Sequence, residues 1–499
     1  MQDIGIAARL QRIGSRLRRP PDRQQPVTAY ESGSGKNGAW SHESAGLPFL
    51  ISTTAPTPHA YIYHQHVSVT LLSPDTFPTP AMDLLTQFVL ALALLFGGIV
   101  VAAAITARQR RTAVAAAAAK AAAERTAEDE KIPIPTPLTG LTLDNLPRYD
   151  DRPWRAFRWP YHQTMSIFKL DINHWLDMDK WYKRYITERM DIIRRTGNEY
   201  CDTLPDGEDA ALELLEVVVD HLTTRYPNLF VKTDIGVNNL VTGEKMDLRQ
   251  PLKEPALHYV ARLAKEDFYL VKRREDGRHY LVAAVVPAPG GFFGVQNKIG
   301  QHLDVIHTEV PYYEDKLKVS MERWFARMRP CDPVERASWF ICWDHELLCN
   351  GIYALKDGEK VPETTDFSRY NVRVCRQTLR RLPKSKAIIF SNHPIFYSIE
   401  EMKDEPHVPL MLKRIVLNGP DKILKYKGFE KFDAHLIPYL DKLHQRQIDL
   451  GIVSEDTPLH TSKSYPFADW YDPKAPNNGD GYPNPYYAKY GIVPPSPDM

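Results

Sequence analysis

An uninterrupted apolar stretch near the start of the chain limits its fold more than any other feature. Residues 84–105 read LLTQFVLALALLFGGIVVAAAI, and no charged residue occurs between Asp83 and Arg108. A helix of about 20 apolar residues spans the roughly 30 Å hydrocarbon core of a bilayer. A buried globular helix, which is the alternative, rarely stays uncharged over this length. The stretch therefore predicts one transmembrane helix, over residues 83–107.

The charges around this stretch predict its orientation. Arg108, Arg110 and Arg111 follow it at once, whereas only Asp75 and Asp83 lie close before it. Because basic residues stay on the cytoplasmic side, the rest of the chain is expected in the cytosol, at the endoplasmic reticulum or another intracellular membrane. A cleaved signal peptide is disfavoured, since it carries its basic residues before the apolar run.

Composition divides the rest of the chain into further segments. The N-terminal region is rich in Ser, Pro, Thr and His without sustained periodicity, which is typical of disorder. The alanine-rich sequence after the span favours helix, and the alternating prolines of IPIPTPLTG end it. The expected segments are a disordered region (1–82), the transmembrane helix (83–107), a helical stalk with a proline linker (108–140), a globular domain (141–400), C-terminal helices (401–463) and an irregular tail (464–499).

The globular region mixes helical and strand patterns. Residues 209–222 place apolar side chains on one helical face, and residues 310–327 show the same spacing. Two β-rich runs flank Asp276-Gly277, a dipeptide that favours a hairpin. Residues 387–390 predict a short buried strand. Because no regular βαβ repeat occurs, the sequence predicts an α+β fold.

Several classes of function are excluded. The chain has 63 Lys and Arg residues against 62 Asp and Glu, so its net charge of +1 disfavours nucleic-acid binding by bulk charge. Its five cysteines include no C-x-x-C pair, which disfavours a disulfide scaffold, a cysteine zinc site and an iron–sulfur cluster. The sequence also lacks a P-loop, a G-x-G-x-x-G fingerprint, a G-x-S-x-G elbow and an H-E-x-x-H helix. Redox chemistry by this chain would need electrons from elsewhere.

Three local sequences carry candidate chemistry. RWPYHQTM (158–165) contains His162, GQHLDVIHTEVP (300–311) contains His307, and RVCRQTLRRLP (373–383) concentrates guanidinium groups. A histidine taken alone is more often a packed or capping residue than a ligand, and an arginine cluster is more often a solvated face. The residues alone therefore leave both interpretations open.

These segments, with others between them, resemble in order and spacing the haem-dependent oxidative N-demethylase α-subunit-like family. This family is known from the haem subunit of bacterial dimethylamine monooxygenases and from fungal homologues, and the apolar helix suggests a membrane-anchored, fungal-type member. The resemblance covers about residues 145–400. Its motifs are FRWPYHQTM (157–165), YPNLF (226–230), EDF (266–268), IHTEVP (306–311), RASW (336–339) and RQTLRRLP (376–383).

The resemblance implies a haem b (iron) held in a PAS-like α+β domain, with an antiparallel sheet, flanking helices and a histidine as axial ligand. Family members of this kind use O2 to oxidise a methyl group on a small secondary amine and release formaldehyde. Their electrons come from NADPH through flavin and a [2Fe–2S] centre on a separate reductase. A separate reductase agrees with the absence of nicotinamide, flavin and ferredoxin fingerprints from this sequence.

The family motifs also suggest roles for individual residues. His307 is the expected metal and haem ligand, because a loop after a short helix can aim its ring into a pocket. His162 is the second candidate ligand and the expected catalytic donor to bound O2, with a packed histidine as the alternative. His393 is a third candidate ligand. Cys375 stands where many relatives carry an acidic residue, and nothing around it resembles a thiolate haem-ligand loop.

Arginines and aromatic residues complete the expected cofactor site. Fork-shaped guanidinium groups suit the haem carboxylates, so Arg336, Arg376 and Arg380 are candidates, each with ordinary ion pairing as the alternative. Trp339 is expected to wall the haem pocket. Trp159 and Phe268 are further wall candidates, and simple core packing explains all three rings as well.

The sequence thus predicts a membrane-anchored haem monooxygenase that depends on a separate reductase. Two alternatives stay open: a haem-binding sensor that does not turn over, and a membrane-tethered scaffold without haem. Formaldehyde production from a methylated amine separates the enzyme from the sensor. A Soret absorption band separates both from the scaffold.

Overall fold

A single long helix begins the part of the chain that the structure describes. The computed structural model describes residues 79–161, 164–289, 294–343, 345–348, 366–431 and 433–471. Helix α1, Thr79–Asp129, runs without a break from the apolar stretch into the alanine-rich sequence. Its segment Asp83–Arg110 has a mean hydropathy of 2.8, has no buried residue and is long and apolar enough to cross a membrane. The prediction of one apolar N-terminal helix is thus confirmed, although the helix itself begins before and ends well after the predicted residues 83–107.

Two compact units divide the chain, residues 1–95 and 96–499. The described part of the first unit is the beginning of α1. Most of the predicted disordered segment, residues 1–78, lies outside the described residues. The second unit contains the two sheets and the remaining helices described below, and the proline linker after α1 is irregular.

Two antiparallel sheets form the β-structure of the second unit. The larger has the strand order β1-β8-β9-β10-β6-β7-β2, and the smaller has the order β3-β4-β5. The α+β prediction is confirmed at the level of an antiparallel sheet combined with helices. The strands are β1 (Phe168–Lys169), β2 (Cys201–Thr203), β3 (Phe230–Thr233), β4 (Gly236–Asn239), β5 (Glu244–Asp247), β6 (Asp267–Arg273), β7 (His279–Val285), β8 (Val334–Trp343), β9 (Tyr370–Arg381) and β10 (Ile388–Ser398).

Helices cover the larger sheet and follow it at the C-terminal end. The predicted helix at 209–222 is present as α3, and the predicted helix at 310–327 begins with a π-helical turn, Tyr313–Leu317, before α6. The helices are α2 (Tyr182–Thr196), α3 (Glu208–Arg225), α4 (Ala256–Leu263), α5 (Leu303–Ile306), α6 (Lys318–Arg327), α7 (Val408–Asn418), α8 (Asp421–Tyr426) and α9 (Asp433–Asp449).

Local chemistry explains the hairpin and one unexpected strand. Strands β6 and β7 pair around Asp276-Gly277, where Gly277 has a φ of +81° that a glycine adopts without steric cost. The predicted four-residue strand at 387–390 is wrong in length, because β10 continues to Ser398 through Pro394. Beyond Asn392, β10 pairs with β9 alone, so Pro394 lies in an edge segment, where a missing N–H is tolerated.

The register assigns each arginine of the central strands to one face of the sheet. Arg336 is opposite Gln377, whereas the next pair is Ala337 and Arg376. Directly opposed residues point to the same side, and successive residues alternate. We call the two sides the Arg336 face and the Arg376 face. Arg380 is four residues from Arg376 along β9 and therefore lies on the Arg376 face.

Different elements cover the two faces. On the Arg376 face, Phe268 and Ile389 belong to the same buried cluster as Leu214 of α3. On the Arg336 face, Tyr269 and Leu379 belong to a cluster with Phe325 of α6. The segment that contains His307 comes shortly before α6 in the sequence. This candidate ligand therefore lies close to the Arg336 face.

Candidate haem site

His307 is oriented as a neutral imidazole with one nitrogen available for a ligand. It follows the short helix α5, and its Nδ1–H donates to the Leu303 carbonyl oxygen at 2.8 Å. Since a carbonyl only accepts, this bond leaves the lone pair on Nε2. Burial lowers the pKa of His307 against the opposing hydrogen bond to Leu303, and Arg336 lowers it further. A neutral ring with a fixed tautomer is the form that coordinates iron.

Arg336 is a partly buried cation near His307. Its Nε is buried without a hydrogen-bond partner, and within the described residues no carboxylate lies within ion-pair distance of its guanidinium. Burial lowers its pKa, and the hydroxyls of Tyr465, Tyr161 and Tyr426 oppose that effect. A guanidinium without a carboxylate has the charge and the donors that suit an anion. Haem carboxylates have the required charge and shape.

A cavity of about 670 Å³ lies beside these two residues. This volume falls within the roughly 300–1,000 Å³ that is typical of ligand pockets. Tyr313 in its wall stacks on the His307 ring at a centroid distance of 5.1 Å, and Tyr426 in its wall is close to Arg336. His307 is not itself a wall residue. The lining residues are Thr308, Glu309, Val310, Pro311, Tyr312, Tyr313, Glu314, Asp315, Lys422, Lys425 and Tyr426.

The backbone beside His307 is unusual in two respects. Tyr312 has a φ of +60°, in the left-handed region, and the next turn is the π-helix Tyr313–Leu317. Both features are rare, and both concentrate at functional sites. The Tyr312 ring is held between two cations, with Lys316 Nζ at 4.7 Å and Lys422 Nζ at 5.3 Å from its centroid. These contacts fix a cavity wall in a conformation that costs free energy locally.

Arg376 has a different environment from Arg336. It is fully buried on the opposite face, where it donates to an Asp177 carboxylate oxygen at 2.9 Å and to the Trp175 carbonyl oxygen at 3.0 Å. It also donates to the His174 carbonyl oxygen. Both of its terminal nitrogens therefore bind protein acceptors, and the structure does not bring it together with His307.

The other residues predicted to hold or wall the cofactor also divide by face. Arg380 lies on the Arg376 face, with its guanidinium 4.0 Å from the Trp175 ring centroid. Phe268 lies on the same face and contacts the same indole at 6.4 Å. Trp339 points to that face too, and its ring packs against Phe157 at 5.1 Å. Trp159 is partly buried and packs against the cluster that contains Tyr269 and Leu379 of the Arg336 face.

The remaining histidine candidates have distinct positions. His162 lies outside the described residues, although its neighbour Tyr161 is close to Arg336. His393 is buried on the Arg376 face with Asp151 and Glu266 each 3.0 Å from one of its ring nitrogens. Burial opposes protonation, but these carboxylates raise the pKa of His393. Such an imidazolium has no lone pair for iron.

Asp151, Asp179 and His393 form a group that sequence analysis did not identify. Their ligand atoms lie within 4.8 Å of one another, which is close enough to surround a metal ion. Lys265 Nζ already lies 2.5 Å from an Asp179 oxygen and is fully buried. A lysine ammonium therefore provides the compensating cation, and the group is a buried ion-pair network.

Lys427 is a further residue of interest that the sequence alone did not predict. It is buried, donates to the Trp339 carbonyl oxygen, and has its Nζ 4.5 Å from the Phe340 ring centroid. Burial lowers its pKa to about 7, and Cys375 nearby opposes that shift. In the sequence it belongs to KYKGFEK (425–431), a pattern that is typical of a charged surface segment. Only the fold shows that this amine lies at the border of the Arg336 face.

A comparison with protein families covers the region of the candidate site. The family model described as haem-dependent oxidative N-demethylase, alpha subunit-like matches residues 166–437, more than half of the 499 residues. The matched range contains His307, Arg336 and the seven strands of the larger sheet, and it begins after the FRWPYHQTM motif. The chain belongs to the haem-dependent oxidative N-demethylase, alpha subunit-like family.

Proposed function

We propose that this protein is a haem-dependent monooxygenase that removes a methyl group from a small secondary amine. Membership of the family supports haem dependence and oxidative demethylation. The observation that carries the assignment is the pairing of a neutral His307, with Nε2 as its lone-pair nitrogen, and a partly buried Arg336 that has no carboxylate partner among the described residues. The first suits iron, and the second suits a haem carboxylate.

In this proposal the haem b lies on the Arg336 face in a PAS-like arrangement of sheet and helices. His307 Nε2 would coordinate the iron, and the bond from Nδ1–H to the Leu303 carbonyl oxygen fixes its tautomer and increases its basicity. The Arg336 guanidinium neutralises a propionate. Bound haem supplies the redox chemistry that activates O2 for oxidation of the N-methyl group.

The protein surroundings would control solvent and protons. Tyr269 and Phe390, whose ring centroids are 5.4 Å apart on the Arg336 face, exclude water from the sheet side. Lys427 Nζ has a pKa of about 7 and can therefore hold or release a proton at physiological pH. His162 remains the proposed donor to bound O2.

Electrons and location belong to the same proposal. Since the sequence has no nicotinamide, flavin or ferredoxin fingerprint, NADPH, flavin and the [2Fe–2S] centre would reside on a partner reductase. Helix α1 would anchor the protein in an intracellular membrane with the catalytic unit in the cytosol. Anchoring both proteins in one membrane would raise their effective concentration.

Haem titration of the full-length protein in detergent tests the assignment. We expect a Soret band in the wild type and its loss or a marked shift in His307→Ala. His302→Ala is the matched control, because His302 lies in the same segment and contacts Tyr280 on the surface. A normal Soret band in His307→Ala would reject this ligand, and a change in His162→Ala alone would transfer the role to His162.

Turnover then separates the enzyme from a haem sensor. The haem-loaded wild type, given a chemical reductant, O2 and dimethylamine, should release formaldehyde in proportion to the amine consumed. Full haem binding without formaldehyde would support the sensor. Absence of haem binding in folded protein would support the scaffold.

A further inference from the structure

Arg380 on the Arg376 face is a buried cation without a counter-ion. Only 3% of its surface is exposed, and the structure gives its guanidinium no hydrogen bond or ion pair within the described residues. Its Nη1 is fully buried and has no partner. An uncompensated buried charge is strongly destabilising, so arginines in such layers normally find an anion.

Two neighbouring side chains share this lack of partners. Trp175 is fully buried, and its Nε1–H donates to no acceptor in the described structure. His221 of α3 is also buried, and its Nε2 has no partner. The rings of Trp175 and His221 meet edge to face at 5.1 Å, and the Arg380 guanidinium lies 4.0 Å from the Trp175 centroid. Three buried polar side chains that each have a nitrogen without a hydrogen-bond partner thus lie next to one another.

Asp177, a carboxylate that acts on His221, already has other partners. Asp177 accepts hydrogen bonds from His174 at 2.9 Å and from Arg376 at 2.9 Å, and it forms an ion pair with Arg152 at 3.6 Å. Arg225 and Arg376 add further positive charge around His221. The local field is therefore positive, and this carboxylate is not available to balance it.

We infer that Arg380, Trp175 and His221 form a binding site for one small inorganic anion of halide size between β9 and α3. The guanidinium supplies the charge, and the indole N–H and the imidazole are the neutral donors. The Trp175 carbonyl oxygen accepts a hydrogen bond from Arg376, which fixes the backbone that carries the indole. This site lies on the opposite side of the sheet from His307 and needs nothing from the haem.

Bromide diffraction tests the position of the anion. Crystals of the full-length protein grown in bromide should show an anomalous peak in contact with Arg380 Nη1. The same peak should be absent in Arg380→Met. Density that refines only as water at this position, without anomalous signal, would overturn the inference.

Chloride-dependent melting tests binding in solution. At constant ionic strength, with gluconate replaced by chloride, the Tm of the wild type should rise, because a ligand bound by the folded state stabilises it. The rise should disappear in Arg380→Met and shrink in Trp175→Phe, which keeps the ring and removes the N–H. Arg195→Met is the control, since it removes an exposed guanidinium from α2 and should keep the full chloride response.

The two variants keep the test decisive if one folds poorly. Trp175→Phe carries the solution measurement should Arg380→Met fail to fold. A chloride response equal to that of the wild type in either folded variant would contradict the site.

Discussion

Arg376 and Arg336, which lie on opposite faces of the seven-stranded sheet, have opposite environments. On the Arg376 face, Arg376 and Asp177 bind each other at 2.9 Å, and His393 lies between two carboxylates. On the Arg336 face, Arg336 has no carboxylate partner in the described structure, and His307 presents an unprotonated nitrogen. A shift of one position along the strand separates a structural ion pair from a candidate ligand group. The residue type alone therefore does not predict whether an arginine in these strands forms a structural ion pair or belongs to the candidate ligand group.

The difference has a thermodynamic consequence. Removing one partner of a buried ion pair leaves the other charge unpaired, which is strongly destabilising. Removing a charge that has no carboxylate partner leaves no unpaired charge behind. Arg376 should therefore matter for stability, whereas Arg336 should matter for the cofactor.

The largest expected effect is on stability. Arg376→Met leaves Asp177 without its main partner and should lower the free energy of unfolding by about 3–5 kcal/mol. Arg336→Met, the matched variant on the other face, should cost about 1 kcal/mol or less in the absence of haem. Thermal and denaturant unfolding of both full-length variants checks this. Equal losses would show that the two faces do not differ in this way.

The second effect concerns Lys427 at the border of the Arg336 face. Its folded pKa of about 7 lies below the ordinary value, so between these two values the unfolded state binds more protons. Stability should therefore rise from pH 7 to about pH 10, by at most about 1.4 kcal/mol per pH unit. Lys427→Met should remove this rise in a pH series of unfolding measurements. An unchanged slope would mean that Lys427 keeps its usual pKa.

A smaller effect of opposite sign is expected on the Arg376 face. The raised pKa of His393 means that its stabilisation is fully present below about pH 6.5 and is lost as the pH rises through the folded value. The difference in unfolding free energy between wild type and His393→Gln should shrink over that window, by at most about 1.4 kcal/mol per pH unit. His302→Gln serves as a surface control. A difference that grows with pH would contradict the imidazolium assignment.

Local features of the fold were predictable from sequence because their causes are local. The Asp276-Gly277 hairpin, the amphipathic helix α3 and the apolar helix α1 follow from turn chemistry and periodicity. The short helix before His307 is of the same kind. Patterns that one segment can satisfy alone are visible in that segment.

The division between the faces was not predictable, because it depends on register. Arg336 and Arg380 are 44 positions apart, and only the pairing of β8 with β9 shows that they point to opposite sides. The hydrogen-bond partners of Arg376 come from residues 174–177, about 200 positions earlier. Lys427 looks like a surface lysine until α8 and the following turn bring it against Trp339.

Haem affinity of three full-length proteins tests the central claim most directly. Wild type, Arg336→Met and Arg380→Met would each be titrated with haem and followed by Soret absorption. Loss of a charge-assisted bond worth about 1.5–3 kcal/mol should weaken haem binding of Arg336→Met by about 10- to 100-fold, and Arg380→Met should bind as the wild type does. The reverse order, with Arg380→Met impaired and Arg336→Met unchanged, would place the cofactor on the other face and contradict the account.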